Sequence, residues 1–271
     1  MKLTFKELPV ISDLSELYRY RQLLAALVVR QLKERYRGSF LGFFWTLMNP
    51  LLLMVVYNLV FSVYMRTPMP EGKSYAVFLM CGLLPWIWLA QSLTEGTNSI
   101  LAGGNLVTKS MFPARLLPTV TVTSSLVNFM VSLPVLIVFL LFKKVDIHLE
   151  YYPFVLLAFV VQFMFIEGLV LMSSALNVFY RDIQHLVGNL MTLWFFLTPV
   201  LYPIENVPVA YRWMVYLNPV TPIIRVYQQV WFDNQMPDFN HLGLVALLSL
   251  GLWITGSLIF DRHRDRFAEI I

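Results

Sequence analysis

Six side chains in this sequence combine a titratable group with a helix-end or apolar setting: His148, His185, His241, His263, Glu95 and Glu167. The histidines lie in expected loops or span ends and never at metal-ligand spacing with one another or with carboxylates, so no metal site is expected. Asp182 and His185 are the nearest approach to an acid–base pair. A membrane-face glycosyl- or acyltransferase would need paired carboxylates or a His-centred site, and no catalytic residue is expected here. The stretch Gly103-Gly104-Asn105-Leu106-Val107-Thr108-Lys109-Ser110 departs from a phosphate-binding loop at Thr108, where a second glycine is required. Any ATP used by this protein is therefore expected on another chain. The one cysteine, Cys81, excludes an intrachain disulfide.

Glu95 and Glu167 fall at or inside apolar runs, where an ionisable group costs several kcal/mol (roughly 2.5–3.5 or more) unless partnered or hydrated. Glu167 is either part of a transport path or a protonated carboxyl bonded to a neighbouring helix. Aromatic residues make up 15% of the chain. Tyr57, Phe61, Phe195, Phe196 and Tyr202 lie within or at the ends of apolar runs, where their faces could stack on the C–H faces of sugar rings. Interfacial belts of Trp and Tyr would account for the same residues.

The elements that must position these groups are membrane helices. The chain is 58% hydrophobic and 13% charged, against roughly 25% charged in an ordinary soluble domain. Residues 38–65 carry no formal charge and follow directly on Arg30, Lys33, Arg35 and Arg37. A helix of that length rises about 42 Å, enough to cross a hydrocarbon core of roughly 30 Å with tilt. Apolar segments over 38–65, 74–94, 116–142, 151–180, 186–204 and 242–260 predict an all-α membrane protein with six spans, forming a single transmembrane domain. With both termini cytoplasmic, 14 of the 20 Lys and Arg lie inside and 6 outside, as the positive-inside bias requires. The first 37 residues hold twelve charged side chains and no early apolar core, so no signal peptide is expected. The net charge of +4 arises in loops, and no nucleic-acid binding is expected.

Before the first span, Asp13 and Glu16 fit a capping box. Leucines then recur at helical spacing through residues 12–37, opposite Arg19, Arg30, Lys33 and Arg37. This predicts an amphipathic helix at the inner membrane surface, or one packed on a protein partner. Within residues 205–241, the charge-free stretch 213–224 is twelve residues long and broken by Asn218-Pro219 and Pro222, too short and too interrupted to span. The segment predicts short re-entrant external helices or an external loop resting on the headgroups.

Several strings, in order along nearly the whole chain, resemble the permease subunits of polysaccharide ABC exporters, the group that exports O-antigen, capsule and teichoic acid. They are Arg35-Tyr36-Arg37-Gly38-Ser39-Phe40-Leu41-Gly42-Phe43-Phe44-Trp45 with Asn49-Pro50; Asn177-Val178-Phe179-Tyr180-Arg181-Asp182-Ile183; Thr198-Pro199-Val200-Leu201-Tyr202-Pro203; and Leu217-Asn218-Pro219-Val220-Thr221-Pro222. The resemblance implies a homodimer of six-span permeases in the bacterial inner membrane, bound to two copies of a cytoplasmic ATPase that holds ATP and Mg, with no cofactor in this chain. The cargo implied is a lipid-linked polysaccharide; family relatives that export a drug or a lipid make a small amphiphile the alternative. Lys109, Ser110, Met111, Phe112, Pro113 and Arg115, with Arg35 and Arg37 on the amphipathic helix, look like the ATPase-coupling surface. Tyr57, Phe61, Phe195, Phe196, Tyr202 and Glu167 are the candidate path, and Trp213, Asn218, Pro219 and Pro222 the external gate.

Overall fold

The computed structural model describes residues 15–35, 37–69, 73–108, 112–145 and 148–271, and every regular element among them is helical. Asp13, half of the expected capping box, and Lys109, Ser110 and Met111 of the expected coupling loop lie outside the described residues. Helix α1, Arg21–Arg35, covers most of the segment 12–37 expected to be amphipathic, although its apolar and polar side chains are scarcely segregated to separate faces, and it packs along a later span rather than continuing into the next helix. Gly38 (φ 77) and Gly42 (φ 49) make the break. A Cβ on either would meet nothing within 4 Å, so the left-handed backbone, not crowding, calls for glycine. Residues 38–41, expected within the first span, form this turn instead.

Five helices are long and apolar enough to cross a membrane. They are α2 (Trp45–Tyr64), α3 (Tyr75–Thr97), α4 (Leu116–Phe142), α5 (Tyr152–Phe179) and α9 (Phe239–His263). Helix α3 is the hub: most of its residues are buried, and α4, α5, α6 and α8 all pack on it. Its Trp88 stacks between Phe129 of α4 and Phe159 of α5, with ring centroids at 5.4 and 5.0 Å. Helices α5 and α9 meet at Gly168 and Gly256, where a Cβ on either would collide with the opposing backbone. Small residues at that crossing let dispersion contacts replace the hydrophobic drive that lipid does not supply.

Helix α6 (Ile183–Leu197) is the departure from the expected layout. Its 15 residues rise about 22 Å, short of the roughly 30 Å needed to span. The expected span 186–204 continued through Pro199 and Pro203 because hydropathy does. Proline disfavours helical geometry in the residue before it, and Thr198 is accordingly extended at φ −96, ψ 137. The chain then turns through α7 (Arg212–Leu217) and α8 (Val220–Gln228), which runs on as a π-helical turn to Asp233.

Candidate functional site

A cavity of about 1020 Å³ lies between α2, α3, α4 and α6. Tyr57, Trp86, Phe195 and Phe196 form one wall. Phe195 is the centre of this cluster, with ring centroids 5.7 Å from Tyr57, 5.5 Å from Trp86 and 5.5 Å from Phe196. Phe61 extends it beyond the cavity, 6.4 Å from Tyr57 and 6.3 Å from Tyr75. The opposite wall is polar. Ser125, Asn128 and Ser132 occur three and four residues apart on α4, so one helix face presents all three. Ser125 Oγ and Asn128 Oδ1 are buried without a hydrogen-bond partner, leaving two groups for water or a polar ligand. Aromatic faces without fixed charge opposite unpaired hydroxyl and amide groups suit an amphiphilic, hydroxyl-bearing guest.

Of the candidate path residues, the structure gathers Tyr57, Phe195 and Phe196 around the cavity and Phe61 beside it. Tyr202 stands outside the wall, its hydroxyl donating to the Phe196 carbonyl at 2.9 Å. Glu167 is elsewhere: it is 2% exposed inside the bundle, and Thr119 Oγ1 donates to its Oε1 at 2.5 Å. Enclosed between α4 and α5, the carboxyl bonds helix to helix through Oε1, while Oε2 is buried without a partner.

Proline-broken backbone buried away from water requires partners for its carbonyls. They come from three side chains: Asn218 Nδ2 donates to the Leu197 carbonyl at 3.4 Å, Gln228 Nε2 to that of Pro199 at 2.9 Å, and the Tyr75 hydroxyl to that of Leu201 at 2.7 Å. Asn218 does more. Its Oδ1 accepts from Trp194 Nε1 at 2.8 Å and from the Val220 amide at 3.0 Å, and its Nδ2 also donates to Thr198 Oγ1 at 2.9 Å. The side chain thus joins the end of α6 to the start of α8. Pro219 caps α8, Pro222 borders a small cavity of about 130 Å³ with Glu205, Arg225 and His241, and Trp213 is exposed.

At the opposite, basic end of the bundle, Arg35 of α1 forms an ion pair with Glu95 of α3 at the edge of the main cavity. Arg37 is exposed beyond it. Phe112 is half-buried against a second apolar cluster that includes Phe260 and Phe267, and Pro113 accepts from the Leu116 amide at 2.9 Å. Arg115, expected on a docking surface, is 4% exposed and points inward. Its Nη2 lies 3.0 Å from Asp261 Oδ1, and its guanidinium 5.7 Å from the Phe260 ring centroid. Burial pulls the Arg115 pKa below its ordinary value, while the Asp261 and Glu167 carboxylates push it back up. Arginine's margin above pH 7 keeps it charged.

Sequence reasoning missed the Arg35–Glu95 and Arg115–Asp261 pairs, because their members are far apart along the chain and no local pattern links them. It also missed the polar face of α4, although Ser125, Asn128 and Ser132 at helical spacing in an apolar run were a readable signal.

Residues 22–232 match the family described as ABC-2 type transporter. Among similar proteins, the O-antigen export system permease protein RfbA of Myxococcus xanthus is 43% identical over 260 residues, covering 94% of this chain and 98% of that protein. The protein of the same name from Klebsiella pneumoniae is 30% identical over 249 residues, covering 92% and 95%. The polysialic acid transport protein KpsM of Escherichia coli is 19% identical over 242 residues, covering 89% and 93%. With five apolar helices of spanning length among its described residues, three of which line a partly aromatic cavity, and a family match over most of its residues, this chain belongs to the ABC-2 type transporter family.

Proposed function

We propose that this chain is the membrane subunit of an ATP-driven exporter that carries a lipid-linked polysaccharide of the O-antigen type across the bacterial inner membrane. The observation that carries this reading is the 43% identity, nearly end to end, with a permease named for O-antigen export. The main cavity supports it chemically. Aromatic faces can follow sugar rings without holding any one of them, and the unpaired groups on α4 can exchange hydrogen bonds with successive hydroxyls.

In this reading α6, completed by the extended residues after it, is the sixth span, and both termini are cytoplasmic. The α7–α8 segment is a re-entrant external gate, hinged on Asn218. Helix α1 and the loop around Phe112 receive the ATPase, which holds ATP and Mg in two copies of a separate chain. Arg115 does not touch that partner; it ties the loop's end to α9. A second copy of this chain covers the apolar face of α2, where Leu52, Val55, Val56, Leu59 and Val63 are exposed. Closure of the ATPase pair would shift α1 and the coupling loop, and through them open a path at the dimer axis.

Deleting the gene in its native host tests the cargo. Surface polysaccharide should disappear while lipid-linked polymer accumulates inside, and a plasmid copy should reverse both. Unchanged surface polysaccharide with a fall in resistance to an amphiphilic drug would instead establish the small-amphiphile reading.

A further inference from the structure

A second cavity of about 910 Å³ lies at the basic end, between α1, the inner end of α3, the loop after it, α4 and the start of α6. Thr94 and Glu95 line both this cavity and the aromatic one, so the Arg35–Glu95 pair stands on the boundary between them. The character of the two differs. Where the main cavity has rings, the second has aliphatic Leu27, Leu106, Leu117 and Val120, and among them the amides and hydroxyls of Gln31, Asn98, Ser99, Asn105, Thr121 and Gln184. Ser99 Oγ is buried without a hydrogen-bond partner, in a residue only 7% exposed. A buried hydroxyl left unpaired is costly, and a ligand or water must supply its partner.

The charge balance selects the ligand. Arg30 is the one lysine or arginine among the described lining residues, and Glu34 holds it at 2.8 Å. Glu95 is held by Arg35. Apart from His185, which also lines the cavity, the described lining residues hold no lysine or arginine without a carboxylate partner for a phosphate or diphosphate, which characteristically recruits unpaired arginine or lysine. Asn and Gln offer a donor pair and an acceptor on each side chain, matching sugar hydroxyls that both donate and accept. We propose that this second cavity is a glycan-binding vestibule: it takes uncharged sugar residues of the polymer before they enter the aromatic cavity, and leaves the anionic lipid-phosphate end outside. The vestibule rests on the polysaccharide-export reading and adds to it which part of the substrate is bound where.

The test places a photo-crosslinking benzoylphenylalanine at Asn98, at Phe195 in the aromatic cavity, and at Leu247 on the exposed face of α9, in cells making the polymer and the full transporter. The expected result is an adduct at Asn98 that carries polysaccharide and is destroyed by periodate, with none at Leu247. An adduct that survives periodate and holds only the lipid carrier overturns the vestibule, as does a cross-link from Asn98 to the ATPase chain. Polymer captured at Phe195 but not at Asn98 overturns the vestibule and leaves export standing. Polymer captured at neither, with surface polysaccharide unchanged in the deletion strain, overturns the export reading itself. A second measurement uses the purified complex and lipid-linked polymer extracted from the deletion strain. Asn98→Leu with Gln184→Leu should raise the polymer concentration needed for half-maximal stimulation of ATP hydrolysis about tenfold, as expected for two lost hydrogen bonds. An unchanged half-maximal concentration overturns the proposal.

Discussion

Glu167 shows how a single side chain changes meaning once its neighbours are known. A carboxylate in an apolar run raises the prospect of a transport role, yet Thr119 and the Arg115 guanidinium enclose it inside the bundle. Its contribution is to the joining of α4 and α5. Glu167→Gln keeps the acceptor oxygen and should leave folding and export near normal. Glu167→Leu removes the bond from the Thr119 hydroxyl to α5, leaving it only the Arg115 carbonyl of its own segment, and should lower stability by about 1 kcal/mol or more. Thermal unfolding of the detergent-solubilised protein measures this. Lost export by a Glu167→Gln protein of normal stability would return the residue to the transport path. The cavity aromatics were partly readable, since Tyr57, Phe195 and Phe196 stood out as rings in apolar runs. Their convergence on Phe195, and the Arg35–Glu95 pair at the cavity edge, depend on contacts between residues 60 or more apart, which no local spacing encodes.

Among the elements, α6 and the chain after it depend on neighbours more than any other segment. The helix ends where Pro199 forces Thr198 out of helical geometry, and the carbonyls beyond are bonded by Asn218, Gln228 and Tyr75. Asn218→Ala removes partners from Trp194, Thr198 and the Val220 amide together. At about 1 kcal/mol per bond it should cost roughly 2–4 kcal/mol. Asn218→Asp retains the acceptor side and should lose less. Equal stability of the alanine variant and the parent protein would show that the junction is not held there. The α5–α9 crossing makes the other element-scale prediction. Gly256→Val drives a side chain into the Gly168 backbone, and should cost about 1–3 kcal/mol or prevent membrane accumulation. Immunoblotting of membranes and unfolding of the purified variant both report on it, and a variant of normal abundance and stability would contradict the close approach. Long spans such as α4 were legible because their apolar length exceeds what a bilayer needs. The end of α6 was not, because hydropathy carries on through Pro199 and Pro203 while the helix stops.

At the scale of the molecule, the two ends of the bundle differ in kind. The basic end, with α1 and the Phe112 loop, has a cavity in which amides and hydroxyls stand among aliphatic side chains; the cavity next to it has aromatic rings and two unpaired polar groups; the far end carries α7 and α8. That order suits a polymer that enters through hydrogen bonds, slides past rings and leaves through a gate. The central claim is that polysaccharide passes the aromatic cavity of this chain. Its most direct test is surface polysaccharide per copy of permease in cells carrying Tyr57→Ala with Phe195→Ala. Surface polymer should fall about tenfold or more, the loss expected for weakened aromatic contacts of roughly 0.5–1.5 kcal/mol at each position. Membrane abundance of the permease and its association with the ATPase should be unchanged. Normal surface polysaccharide from that variant would contradict the account.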